Sequence, residues 1–129
     1  MIQVVAGVLE RDGKILICQR RADQPHALKW EFPGGKVEAG ERPEQTLIRE
    51  LKEELAITVE EACLAPLAFA SHAYRDFHLL MPLYVCRRWK GIVTAQEGQK
   101  LAWVRPQRLR DYPMPPADEP LIPHLTSLF

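Results

Sequence analysis

The chain has no excess of charge, since 17 Lys and Arg stand against 17 Asp and Glu in 129 residues. That balance argues against a broad basic face, and so against a nucleic-acid polymer as partner, because such affinity is built from neutralised phosphates. No stretch of about 18 or more apolar residues occurs, and no basic segment followed by an apolar run opens the chain. No membrane partner and a cytoplasmic location are therefore expected. Cysteine is scarce: Cys18, Cys63 and Cys86 are odd in number, widely spaced and set in apolar runs. That pattern fits neither a disulfide framework nor a zinc site, and predicts reduced core residues. Internal repeats are absent, and so is any G-x4-G-K-[ST], which removes the P-loop as a phosphate cradle.

What is present suffices for one domain over residues 1–129, with 47% of residues hydrophobic and too little length for two ordinary cores. β-Branched runs at 2–9 and 14–18 flank Arg11-Asp12-Gly13, which predicts a hairpin turning where Gly accepts positive φ. A polar loop is expected at 20–29, a short extended piece at 30–32, and a Gly-rich loop at 33–42. Further strands are predicted at 63–70, 77–86 and 101–104, with Pro82 suggesting an edge or a bulge. The Pro-rich run 113–123 reads as a surface turn before a final helix at 118–128. Strands mixed with two separated helices imply an α/β layered fold.

The strongest local signal is a helix over 43–55. Pro43 suits the first helical position, and the segment after it holds good helix formers with no internal Gly or Pro. Arg42 is a poor N-cap, having no short acceptor to offer. At about 100° per residue, Leu47, Ile48, Leu51 and Leu55 share one arc, which predicts the buried face. Glu50, Glu53 and Glu54 flank that arc instead of opposing it. A solvated face with Arg49 paired to Glu53 would be the ordinary outcome of such a cluster. Yet Glu50 and Glu54 form a like-charge i,i+4 pair beside the apolar stripe, a crowding that a divalent cation would relieve. Oxygen ligands of this kind suit Mg²⁺ or Mn²⁺.

Gly35, Glu41, Arg49-Glu50-Leu51, Glu53-Glu54 and Ala56-Ile57 together resemble the Nudix box, G-x5-E-x7-R-E-U-x-E-E-x-G-U with U aliphatic. Every charged position matches; Ala56 stands where the box has Gly. Trp30-Glu31-Phe32-Pro33-Gly34-Gly35-Lys36 and Pro115-Pro116-Ala117-Asp118-Glu119-Pro120 extend the resemblance to the MutT branch of the Nudix hydrolases, over essentially the whole chain. The resemblance implies a mixed β-sheet sandwiched between α-helices. It implies Mg²⁺, with Mn²⁺ as an alternative, held by Glu50, Glu54, the Gly34 carbonyl and Glu97, with Glu53 ligating a metal or positioning the water. Arg49 would orient the carboxylates and Glu41 support the loop, while the general base stays open among Glu50, Glu53 and Glu97.

The reaction so implied is hydrolysis of a nucleoside triphosphate to monophosphate and pyrophosphate. Arg20 or Arg21, with His26, would reach the phosphates, and Glu31, Phe32, Pro33, Gly34 and Asp118 would complete the substrate site. Relatives acting on 8-oxo-dGTP read the base with Asn, whereas this chain has Asp118. An amide donates and accepts at once, but an ionised carboxylate only accepts. Asp118 would then accept from the guanine N1–H and N2–H₂ edge or, protonated, pair with N3 and N4–H₂ of cytosine; it would also serve as N-cap of the last helix. An 8-oxo-dGTP diphosphatase leads, cytidine or 5-modified cytidine triphosphates follow, and a non-catalytic nucleotide-binding module is the alternative of another class. A monomer or a homodimer is expected.

Overall fold

The computed structural model describes residues 1–129. Strands β1 (Ile2–Arg11) and β2 (Lys14–Gln19) form the expected hairpin, pairing at Glu10↔Ile15 and Arg11↔Lys14. Asp12 at φ 54° and Gly13 at φ 78° make the two-residue turn, whose twist suits a hairpin. The two strands then separate. β1 continues in parallel with β6 (His78–Cys86), which pairs antiparallel with β5 (Leu64–Ala73). β2 pairs with β3 (Trp30–Glu31) and β7 (Lys100–Val104), both antiparallel. The segment predicted as a plain Gly-rich loop contains one more strand, β4 (Gly34–Lys36), antiparallel to Val4–Ala6 of β1.

Alternation along β1 and β2 supplies cores on both faces of this mixed sheet, because successive side chains point to opposite sides. Ala6, Val8, Ile15 and Ile17 meet Leu121, Ile122 and Leu125 on one face. On the other, Val5, Leu9 and Leu16 meet Leu47, Leu51 and Leu55 of helix α1 (Pro43–Leu55). These three leucines are fully buried, each contributing about 1.5–3 kcal/mol. Gly7 lets the helix settle, since a Cβ there would lie 3.2 Å from Leu47 Cδ1.

Both ends of α1 follow from local chemistry. Arg42 is extended and offers no side-chain acceptor, and Gln45 Oε1 accepts the Arg42 N–H at 2.9 Å. At the other end Ala56 takes the left-handed conformation, φ 60° and ψ 31°, and its N–H closes on the Lys52 carbonyl. Ala thus adopts the geometry that Gly serves at helix exits, at a cost of roughly 1 kcal/mol.

Several expectations are corrected. The final helix is a 3₁₀ turn, Glu119–Leu121, followed by α2 over Ile122–Leu128. Asp118 makes no side-chain cap there. Pro82 sits in β6 between β1 and β5, opposite Phe69, so its strand is central, and the irregularity falls in β5 between Pro66 and Ala68. The Pro-rich run is no simple surface turn, for Met114, Ala117 and Asp118 are 3%, 1% and 5% exposed. A 3₁₀ stretch at Pro106–Asp111 was not foreseen. Cys18 and Cys86 are buried as expected, while Cys63 is half-buried; all three are free thiols. No helix is long and apolar enough to cross a membrane.

Candidate active site

Gly35 places the β4 backbone against α1, because a Cβ there would collide with the Glu50 carboxyl group; at Gly34 it would collide with the Val5 carbonyl. At Gly34 only glycine allows this approach, and at Gly35 a side chain would displace the Glu50 carboxylate; together they bring the loop backbone beside the acidic side of the helix. Glu50 is 17% exposed and Glu53 56%, so the two carboxylates differ in solvation although both flank the apolar arc.

Arg49 ties the loop to the helix. Its Nε donates to Glu41 Oε2 at 2.9 Å and its Nη2 to Glu41 Oε1 at 3.0 Å, a two-point clasp. Nη1 donates to Glu50 at 3.1 Å and lies 3.5 Å from Glu53. Glu41 also accepts from the Thr46 hydroxyl at 2.9 Å and the Glu38 N–H at 3.2 Å. These bonds, Arg49 first, hold the Glu41 carboxyl down to about 2 and keep the Arg49 guanidinium charged. The expected Arg49–Glu53 pair is thus the longer contact, and Glu41 the main partner.

Glu54 lies deeper. Burial raises its carboxyl well above the usual range, and the neighbouring Glu50 carboxyl adds to this through charge and a hydrogen bond. The backbone around it is fixed by the loop after residue 94, where the Gln96 N–H and Gln99 Nε2 both donate to the Glu54 carbonyl at 3.0 Å. Thr94 N–H meets the Leu55 carbonyl at the same distance. This zipper carries Glu97 across 43 residues of sequence to the same cavity as Glu54. The Glu97 carbonyl accepts Arg21 Nη1 at 2.6 Å, closing the cavity's rim. About 130 Å³ is enclosed by Glu54, Glu97, Glu31, Gly34, Arg20 and Arg21, with Cys18, Gln19, Gln24 and Gln99 completing the wall.

Cys18, Gln24 and Gln99 went unrecognised from sequence. Cys18 is brought there by its register partner Glu31, Cys18↔Glu31 across β2 and β3, and long-range register has no local signature. Burial, with Glu54 next, drives its thiol far upward and keeps it protonated. No three carboxylate, imidazole or thiol groups converge closely enough to enclose a cation unaided. The carboxylates of Glu31, Glu54 and Glu97 in the wall are nonetheless oxygen donors of the kind a hard divalent cation takes alongside waters and substrate oxygens.

A second cavity of about 200 Å³ adjoins the first through Arg20 and Glu31, which line both. Arg20 Nε donates to Glu31 Oε2 at 3.2 Å; burial raises the Glu31 carboxyl, partly offset by Arg20. Its other walls are His26, Tyr74, Phe77, Leu79, Met81 and Asp118 among neighbours. His26, at φ 55°, approaches Tyr74 with ring centroids 6.0 Å apart, and Tyr74 stacks on Phe77 at 5.0 Å. Tyr74 and Phe77, on the β5–β6 connection, were missed because nothing in their own sequence marks them, whereas His26 was an expected substrate-site residue. Asp118 Oδ2 accepts the Phe32 N–H at 3.4 Å. Burial first, then Glu31, raises its carboxyl to about 7.

Phe32 lines a smaller third cavity of about 70 Å³ with Arg20, Glu31, Gly34 and Asp118. The Phe32 ring belongs to the core, and the Pro33 carbonyl is used by the Gly7 N–H at 2.8 Å. Both position the loop, and neither side chain lines the phosphate-sized cavity.

A family model for the NUDIX domain matches residues 4–124. The chain belongs to the Nudix family. Among curated Nudix relatives, it is 42% identical to the CTP pyrophosphohydrolase of Escherichia coli over 99% of this chain and 93% of that one. It is 37% identical to the 8-oxo-dGTP diphosphatase of the same organism over 98% of each. In three dimensions the Nudix chain superimposes on the solution structure of the E. coli ORF135 protein with TM-score 0.87 and 39% identity, covering 99% of this chain and 90% of that one. A MutT structure from work on Aliivibrio salmonicida and Vibrio cholerae gives 0.82 and 33%, covering 99% and 98%. The expected fold, a mixed sheet between helices, is the fold of these neighbours.

Proposed function

We propose that this Nudix chain is a Mg²⁺-dependent nucleoside triphosphate pyrophosphohydrolase, releasing a nucleoside monophosphate and pyrophosphate. The observation that carries it is the adjacency of two cavities, one walled by carboxylates and one by aromatic and apolar side chains around Asp118. Glu50, Glu54, Glu97 and the Gly34 carbonyl would hold the cation, which supplies charge neutralisation and activation of the attacking water. Arg20 and Arg21 would face the phosphates, Arg20 from the wall common to both cavities. Arg49 holds Glu50 and the loop carboxylate Glu41 in place, and Glu53, the most exposed of the box acids, is free to take a proton from water. The presence of all three helix carboxylates weighs against a non-catalytic binding module.

For the base, burial of Asp118 shifts the preference. A carboxyl held near neutrality is protonated part of the time, so it both donates and accepts, matching N3 and N4–H₂ of cytosine. A cytidine-type triphosphate is therefore the leading substrate, in keeping with the likeness to a CTP pyrophosphohydrolase. Hydrolysis of 8-oxo-dGTP is the second reading, supported by the likeness to 8-oxo-dGTP diphosphatases and by the ionised form of Asp118, which accepts from guanine. Measuring kcat/KM for CTP, dCTP, 5-methyl-dCTP, dGTP and 8-oxo-dGTP with Mg²⁺ separates them. A higher value for 8-oxo-dGTP reverses the order; no pyrophosphate from any of them removes the enzymatic reading.

A further inference from the structure

Net neutrality hides a segregation of charge. Many acids gather around α1, whereas Arg11, Lys14, Arg88, Lys90 and Arg105 cluster at the hairpin end of β2, where Asp12 and Glu60 are also present, and none of these five cations has a carboxylate within ion-pair distance. All five are exposed. Their proximity follows from contacts: the Arg11 guanidinium lies 4.5 Å from the Trp89 ring and 5.9 Å from the Trp103 ring. Trp89 and Trp103 are nearly parallel, 17° apart at 6.2 Å. Arg105 Nη1 comes within 3.5 Å of where a Gly13 Cβ would stand. The Trp89 indole N–H is buried without a partner, so stacking and not hydrogen bonding holds this ring.

Two open clefts flank the stack. One of about 240 Å³ is lined by Arg11, Asp12, Lys14 and Trp103. The other, of about 200 Å³, is lined by Arg88, Lys90, Trp89, Thr58, Cys63 and Glu60, so that in each cleft two cations stand against one carboxylate. β2 runs from this end to the acid cavity, a strand length of roughly 17 Å, so the patch is separate from the candidate active site. Cations on both sides of a guanidinium–indole stack suit an anion that repeats along a line, with flat rings between its charges.

We propose that this end of the molecule binds single-stranded nucleic acid, phosphates in the two clefts and bases against the Trp89–Arg11–Trp103 stack. Stacking on aromatic and guanidinium planes tolerates any base, and phosphate contacts supply affinity without sequence preference. Two clefts on either side of one stack favour a strand over a single nucleotide. Such binding departs from the expectation drawn from net charge, that no nucleic-acid polymer is a partner, because it rests on the local distribution of charge.

The test is fluorescence anisotropy of labelled 12-mer oligothymidylate and oligouridylate at low salt, in EDTA so that the acid cavity holds no cation. Expected is salt-dependent binding of either strand, weakened about tenfold or more in the double variant Arg88→Ala/Lys90→Ala, with the log–log salt slope reduced by between about 1 and 2. Nucleotide hydrolysis by the variant should equal that of the native protein, which also shows that it folds. No binding at low salt overturns the proposal, and so does binding that the variant leaves unchanged. Binding to phosphatidylglycerol vesicles in place of the oligonucleotides would assign the patch to a lipid surface instead and overturn it equally.

Discussion

Asp118 Oδ2 accepts the Phe32 N–H at 3.4 Å, joining the residue just before the final helical segments to the stretch that delivers Gly34 to the acid cavity. One hydrogen bond thus connects the proposed base-reading group with the segment whose Gly34 lines the acid cavity. Replacing Asp118 by Asn keeps the acceptor and removes the titration.

The pH dependence of that site has a definite sign. The Asp118 carboxyl is raised to about 7 by burial, against about 3.9 in an unfolded chain. The folded state therefore holds the extra proton between these limits, and its stabilising contribution is full below pH 4 and lost as pH rises through 7. Asp118→Asn should gain on the native protein by about 1–3 kcal/mol between pH 4 and pH 8 in urea denaturation. Under the proposed base pairing, kcat/KM for CTP should fall relative to 8-oxo-dGTP as pH rises past 7. A ratio flat with pH would separate Asp118 from base selection.

Glu54 bears on metal. Without a cation its carboxyl is raised by burial and by Glu50, so the metal-free protein should lose stability as pH climbs above the ordinary carboxylate range. Glu54→Gln should flatten that decline and abolish the rise in Tm on adding Mg²⁺, with hydrolysis reduced on the order of a hundredfold. Differential scanning calorimetry with and without Mg²⁺ checks both parts.

Arg49 grips both oxygens of Glu41, a geometry that the single ammonium of lysine does not reproduce. Arg49→Lys should lower Mg²⁺ affinity by roughly 10–100-fold while retaining the charge. Because Glu41 is held down to about 2, its contribution is present above pH 4.5 and lost as pH falls toward 2. The stability difference between native protein and variant should therefore narrow in acid, as read by Tm across pH 2–6.

Ala56 sits at φ 60°, where glycine is free of the Cβ penalty. Ala56→Gly should stabilise the fold by roughly 1 kcal/mol less the greater freedom it gives the unfolded chain. A Tm that drops would show that residues packed beside the helix exit rely on the Ala methyl group.

By itself the sequence determined the helix and its two faces, the hairpin, and the roster of box carboxylates. These depend on periodicity and near-neighbour turn chemistry, which are written in contiguous residues. Tertiary structure decided the rest. Glu97 reaches Glu54 only through backbone bonds made across the fold, Cys18 enters the cavity wall only by register with Glu31, and Tyr74 with Phe77 forms the second cavity only because β5 and β6 meet there. Solvation likewise could not be read locally: Glu50, Glu53 and Glu54 are chemically alike along the chain, yet burial raises Glu54 and leaves Glu53 in water. Desolvation and long-range pairing are properties of the assembled sheet, and from them come the differences among identical side chains that the proposed chemistry needs.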